Sequence, residues 1–267
     1  SVGQICNIKE LLEKSSRLEY KPNFDIPMDW DRQHEDKLKE RGVVEYKDLF
    51  TERNYAVNCY IFNEIVAMKS ELPRDIYEML YFLFSSSLRY TNSMTRVTDN
   101  WEGGKPTSMD KHAYWLPNQY VETNVVDIIF KRAKSIMAGA EYSKTTLPES
   151  CHEVISFEEL RKSNGYLVLN RSSSDLPIPD KSIDVVITDP PYGSNVQYAE
   201  LSAVWNAWYE YFNNLNDHIF KEEEAVVNRK VKVTGAKTEN DYEELLFKIF
   251  NECNRVLKDG AYMVFTF

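Results

Sequence analysis

Glycine is scarce in this chain of 267 residues: there are nine, and no two stand at Gly-x-Gly spacing. Glycine-rich loops let the backbone approach a phosphate or a cofactor closely, so the chain lacks the usual signature of such a loop. The four cysteines lie far apart without a Cys-x-x-Cys pair, and the four histidines are equally scattered. The sequence therefore predicts reduced, packed thiols and no metal site.

Long apolar runs are also absent, and no stretch approaches the length that a membrane span needs. Residues 1–6 lack the basic and apolar regions of a secretory signal, so we expect a cytoplasmic protein without a membrane partner. The net charge of −10 argues against nucleic-acid binding over the whole surface. Two local basic clusters remain candidates for phosphate contact, residues 131–134 and residues 229–232 together with Lys237.

Residues 1–150 are predicted to be mainly helical. Apolar residues recur at helical spacing in four segments of this region, residues 7–20, 52–70, 74–89 and 121–138. Thr51 is predicted to cap the second of these helices, and Pro73 to open the third. Residues 91–119 contain two adjacent glycines and two prolines and are predicted to form a long loop, of a length that is usually functional or mobile.

Residues 151–267 alternate short apolar runs with helical segments. Strands are predicted over residues 166–170, 183–188 and 261–267, and helices over residues 198–213 and 242–257. Asn240 or Asp241 is predicted to cap the last helix, and Gly260 to end it. The two tryptophans of the aromatic helix are predicted to lie in the core. This order of elements predicts an α/β fold with a parallel sheet.

The most informative stretch is Asp189-Pro190-Pro191-Tyr192, which follows directly on the apolar run of residues 185–187. Proline cannot continue a β-ladder, so the strand is predicted to end where the carboxylate stands. Ligands of open α/β sheets bind beyond the carboxyl ends of the strands. We therefore predict a functional site on this stiff turn, the structural alternative being a strand end with Asp189 as a helix cap.

These four residues resemble the catalytic motif of amino-methyltransferases, chiefly the N6-adenine DNA methyltransferases that use S-adenosylmethionine. Six further segments are similar to enzymes of that group, residues 48–51, 117–126, 174–177, 183–186, 198–202 and 255–260. The likeness is good over residues 166–267 and weaker over residues 45–130. It implies an incomplete class I methyltransferase sheet of the Rossmann-like type over residues 151–267, after a mainly helical region.

The resemblance also implies roles for individual residues. Asp189 and the carbonyl of Pro190 would accept both N–H groups of the adenine amine, and Pro191 would stiffen the turn. Tyr192 would stack on the target base, which must be flipped out of the duplex. Ser174 and Asp175 would lie at the adenine end of S-adenosylmethionine, and Asp189 would also border that cofactor.

The chain departs from this family in one respect, because the glycine-rich cofactor loop of Phe-x-Gly-x-Gly type is absent. We expect that loop in a missing N-terminal segment or on a second subunit, and the chain to be a portion of a larger enzyme. Residues 221–240 are polar, and we expect them to form a mobile flap that orders on nucleic acid. Two alternatives remain open: a guanine-N2 or adenine-N6 methyltransferase of RNA, and a catalytically inactive methyltransferase-like interaction module.

Overall fold

The computed structural model describes residues 13–14, 18–96, 113–148, 151–212, 224–229 and 236–266. By its own contacts the chain divides into two compact units. The first comprises residues 1–138 and 198–220, and the second comprises residues 139–197 and 221–267. The sequence suggests a boundary near residue 150, whereas the contacts also place the aromatic helix that follows the Asp-Pro-Pro-Tyr motif with the first unit.

The described residues form α-helices, short 3-10 helices and parallel strands. The α-helices are α1 (Asp31–Glu35), α2 (Glu52–Ala67), α3 (Arg74–Thr91), α4 (Val125–Thr146), α5 (Phe157–Leu160), α6 (Tyr198–Tyr209) and α7 (Glu239–Val256). The 3-10 helices are Lys39–Arg41, Tyr46–Leu49 and Met68–Ser70. The strands are β1 (His152–Glu153), β2 (Gly165–Tyr166), β3 (Ile183–Thr188) and β4 (Leu257–Phe265). No helix in these ranges combines the length and apolar character needed to cross a bilayer.

The helices predicted in the first part of the chain are largely confirmed. The hydroxyl of Thr51 accepts a hydrogen bond from the backbone N–H of Asn54 at 3.2 Å, as expected of the residue that caps α2. Pro73 directly precedes α3. Helix α4 begins later than predicted and extends to Thr146. Most of the predicted helix over residues 7–20 and most of the predicted long loop lie outside the described residues, and residues 18–20, which are described, are not helical.

The core of the first unit is aromatic and centres on α6. Trp208 is fully buried, and its ring centroid lies 5.3 Å from that of Phe62 on α2 and 5.0 Å from that of Phe84 on α3. Its indole N–H donates to the hydroxyl of Tyr46 at 2.8 Å, and that hydroxyl donates to the backbone carbonyl of Val204 at 2.7 Å. The indole N–H of Trp208 and the hydroxyl of Tyr46 are thus both paired, as buried polar groups usually are. The prediction that this tryptophan is a core residue is confirmed.

The described residues of the second unit form two short parallel sheets, each of two strands: β1 pairs with β2, and β3 pairs with β4. The parallel pairing predicted for this part of the chain is confirmed. Thr188 at the end of β3 is the partner of Phe265 at the end of β4. Asp189 therefore stands just beyond the carboxyl end of β3, where the prolines were expected to stop the strand.

Three predictions about this unit are wrong in detail. The strand predicted over residues 166–170 is reduced to Gly165–Tyr166. Helix α7 is capped by Thr238, because Thr238 and Asp241 form a reciprocal capping box. Gly260 does not end the helix; it lies within β4, with a φ of 79°, where the register between β3 and β4 shifts. That left-handed conformation suits glycine and lets β4 accommodate extra residues.

One face of the β3–β4 sheet is open to solvent. Four apolar side chains point from it, and their exposed fractions are 46% for Val185, 77% for Ile187, 75% for Tyr262 and 55% for Val264. On the opposite face the ring of Phe265 packs against α7. Parallel sheets are normally covered on both faces, so the open face is an incomplete packing surface.

Candidate functional site

The site lies where β3 and β4 end side by side. Asp189 follows β3 and Thr266 follows β4, and the backbone N–H of Thr266 donates to the Thr188 carbonyl at 3.3 Å. The Oδ1 atom of Asp189 accepts hydrogen bonds from the hydroxyl of Thr266 and, at 2.5 Å, from that of Tyr192. The two hydroxyl oxygens are 2.8 Å apart. One carboxylate oxygen is thus held by two hydroxyl groups from different parts of the chain.

These hydrogen bonds keep the carboxyl group ionised. The pKa of Asp189 is lowered from its ordinary value, first because the Thr266 hydroxyl donates to it and second because the Tyr192 hydroxyl does. The pKa of Tyr192 is raised, mainly because its proton is held by Asp189. At neutral pH the site therefore presents an aspartate anion that can only accept hydrogen bonds.

Two acceptors of the motif remain available. Within the part of the chain that the structure describes, no donor reaches Oδ2 of Asp189 or the carbonyl oxygen of Pro190. Tyr192, beside them, is 42% exposed. The turn thus leaves two hydrogen-bond acceptors and the side chain of Tyr192 accessible, and the roles that the resemblance implies for these residues stay a prediction.

Backbone contacts hold the turn from two other elements. The hydroxyl of Tyr242, in the first turn of α7, donates to the Pro191 carbonyl at 2.6 Å. The backbone N–H of Val227 donates to the Gly193 carbonyl at 3.1 Å. Gly193 has a φ of 55°, a conformation that a side chain would strain. The motif is therefore fixed on both sides of Tyr192.

The Val227 contact belongs to the segment that we expected to be a flap. Ala225 and Val226 are buried, and Asn228 and Lys237 pair through two hydrogen bonds of 2.9 and 2.8 Å. The described ends of the segment are therefore anchored beside the motif. Residues 221–223 and 230–235 of the expected flap, including two lysines of the basic cluster, lie outside the described residues.

Ser174 and Asp175, which the resemblance assigns to the cofactor, lie in the loop between β2 and β3. The carboxylate of Asp175 pairs with Arg171 at 3.0 Å, and the hydroxyls of Ser174 and Ser172 are 2.8 Å apart. No hydrogen bond or ion pair among the described residues joins Ser174 or Asp175 to Asp189. The structure brings the four motif residues together but leaves this pair as a separate group.

Sequence reasoning missed the Glu252–Arg255 pair, which we call the clamp because it binds the loop between β2 and β3. Arg255 of α7 donates to the carbonyls of Leu176 at 3.0 Å and Ile178 at 2.9 Å, and it pairs with Asp180 at 2.5 Å. Glu252, one helical turn earlier, pairs with Arg255 at 2.6 Å and accepts from the backbone N–H of Leu176 at 2.7 Å. The Glu-x-x-Arg spacing was visible in the sequence, but the loop that it binds was not.

Because the clamp depends on an ionised Glu252, we expect the stability that it gives this loop to be lost in acid. Arg255 and the Leu176 N–H lower the pKa of Glu252 to about 2. The resulting stabilisation is fully present above the unfolded-state pKa of roughly 4.3 and is lost as the pH falls toward 2. We expect Glu252→Gln to remove this part of the pH dependence. Thermal melts between pH 5 and pH 2 check this, and an unchanged slope in the variant would contradict it.

Thr266 and Tyr242 are the other residues that sequence reasoning missed. Thr266 is the first polar residue after the apolar run at residues 261–265, the same kind of signal that pointed to Asp189. Tyr242 carried no signal, because its partner is a backbone carbonyl distant in sequence. A scan against protein-family models and searches of curated proteins and of solved structures found no match to this chain.

Proposed function

We propose that this chain forms the amine-binding part of an S-adenosylmethionine-dependent methyltransferase that modifies the N6 amine of adenine in DNA. The observation that carries the proposal is the pair of open acceptors on the motif turn, Asp189 Oδ2 and the Pro190 carbonyl, beside the exposed ring of Tyr192. In this proposal β3 and β4 are neighbouring strands of an incomplete class I methyltransferase sheet.

The chemistry follows from the weak nucleophilicity of an exocyclic amine. Its lone pair is delocalised into the ring, so the nitrogen is a weak nucleophile until both N–H groups are bound and the lone pair is directed outward. Asp189 and the Pro190 carbonyl can accept one N–H group each, while the Tyr192 ring stacks on the base. S-adenosylmethionine, when bound, would supply the electrophilic methyl carbon, whose bond to sulfur breaks as the bond to nitrogen forms, with S-adenosylhomocysteine as the leaving group. After transfer, the cationic amine hydrogen-bonds the Asp189 anion and loses a proton to solvent.

The residues of this chain fit the base better than they fit the cofactor. The acceptors on the turn suit an amine. The loop that would meet the cofactor's adenine has Asp175 paired with Arg171, and the sequence has no Gly-x-Gly loop to approach the methionine end. We propose that another segment or a second subunit, packed on the β3–β4 sheet, supplies that loop.

The function is tested by incubating the protein, alone and with any co-purifying subunit, with radiolabelled S-adenosylmethionine and unmethylated genomic DNA. Digestion to nucleosides and mass spectrometry should identify N6-methyldeoxyadenosine. Total tRNA as a parallel substrate distinguishes the RNA alternative, which would place the label in N2-methylguanosine or N6-methyladenosine. Absence of label from both substrates in the assembled protein would favour the inactive interaction module.

The isolated chain is expected to bind S-adenosylmethionine weakly or not at all, because the cradle for the methionine end is not identifiable in it. Isothermal titration calorimetry measures this directly, and S-adenosylhomocysteine serves as a second ligand with the same adenosine end. A dissociation constant in the low micromolar range for the isolated chain would show that it holds a complete cofactor site of another kind.

A further inference from the structure

The parallel register of β3 and β4 gives Asp189 a neighbour from a distant part of the chain. Thr188 is the partner of Phe265, so the residues that follow the two strands, Asp189 and Thr266, emerge side by side. Their contact is a hydrogen bond from the Thr266 hydroxyl to Oδ1, the oxygen that also accepts from Tyr192. The other oxygen, Oδ2, accepts no hydrogen bond from the described residues.

We propose that Thr266 is a positioning residue for methyl transfer: it anchors Oδ1 of Asp189 so that Oδ2 faces the target amine. The proposal rests on the proposed function. A carboxylate turns easily about its last torsion, which has broad, roughly two-fold minima. An exposed aspartate therefore needs an external contact to hold one oxygen toward a ligand.

Thr266 suits this role better than Tyr192, although both hydroxyls reach Oδ1. Tyr192 lies in the same turn as Asp189, and its ring must adjust when a base stacks on it. Thr266 directly follows the neighbouring strand β4, and its backbone N–H donates to the Thr188 carbonyl at 3.3 Å. The Thr266 hydroxyl can therefore keep its position, and its hydrogen bond to Asp189, while the base binds.

The test uses two readouts, of which the first needs no catalysis. Asp189 is followed by carbon NMR of labelled aspartate carboxyl groups through an acid titration of the full chain. We expect Thr266→Val, which keeps the shape but removes the hydroxyl, to raise the pKa of Asp189 toward its ordinary value. Thr266→Ser should restore it. Thr188→Val is the matched control, because the Thr188 hydroxyl makes no hydrogen bond among the described residues.

The second readout is single-turnover methylation of unmethylated genomic DNA by the assembled protein. A misplaced carboxylate should slow transfer by roughly 10- to 100-fold in Thr266→Val, with DNA affinity unchanged and with rescue by Thr266→Ser. An unchanged pKa of Asp189 in Thr266→Val overturns the proposal, and so does a raised pKa with an unchanged transfer rate. If the pKa rises but the wild-type protein methylates nothing, the proposed function fails while the anchoring of Asp189 by Thr266 stands.

Discussion

Asp189→Ala is expected to lower the single-turnover rate of methyl transfer by roughly 1000-fold or more while leaving the fold intact. The variant removes the only side-chain acceptor that we assign to the amine, and correct orientation of reacting groups accounts for many kcal/mol of a transfer barrier. Asp189 is exposed, and surface substitutions usually change stability by within about 0.5 kcal/mol. Methylation assays paired with thermal melts measure both quantities on one sample.

Asp184→Ala is the matched control, since Asp184 is an exposed aspartate of β3 that pairs with Lys258 at 2.5 Å, away from the motif. It should keep full activity. Tyr192→Phe should have a mild effect because the ring face is retained, whereas Tyr192→Ala should be severe. If Asp189→Ala retained the wild-type rate and melted at a lower temperature, Asp189 would be a structural residue and the methyltransferase proposal would be rejected.

Trp208→Ala is expected to cost the first unit about 3–5 kcal/mol of stability, the range seen when a buried aromatic side chain is truncated. The indole fills the space between Phe62 and Phe84, and its N–H satisfies the buried hydroxyl of Tyr46. The truncation would leave both a cavity and a missing hydrogen bond. Urea unfolding followed by far-UV circular dichroism would show the loss as a lower midpoint.

Trp205→Ala tests whether the loss of stability depends on how deeply a tryptophan is buried, because the same residue type is removed from the same helix. Trp205 lies on the same helix but is only partly buried, and its N–H donates to the Ser85 carbonyl at 3.1 Å. Its loss should shift the urea midpoint by less than that of Trp208. Equal shifts of the urea midpoint for the two variants would contradict the prediction that the stability of the aromatic cluster depends mainly on Trp208.

The position of Asp189 was predictable from the sequence, and the position of its main partner was not. Two prolines after a Val/Ile run have one simple consequence, the end of a strand. Thr266 reaches Asp189 only because β4 begins at Leu257 and absorbs extra residues around Gly260. Helical periodicity placed that glycine at a helix end, and the register of a sheet cannot be read from either strand alone.

The cap of α7 shows a second limit of sequence reasoning. Thr238, Asn240 and Asp241 are all good capping residues, and their intrinsic preferences differ little. Thr238 takes the position because Asp241 then falls three residues later and completes the capping box. The helix that begins there also brings the hydroxyl of Tyr242 to the Pro191 carbonyl, a tertiary contact that local preference does not contain.

The open face of the β3–β4 sheet bears on how this protein would behave during synthesis and purification. A patch of valine, isoleucine and tyrosine side chains exposed on strands is a starting point for aggregation. Production of the chain by itself should therefore be limited by solubility, and co-expression with the second subunit that we propose should raise the soluble yield. Left uncovered, the same four side chains would also expose the chain to cellular degradation.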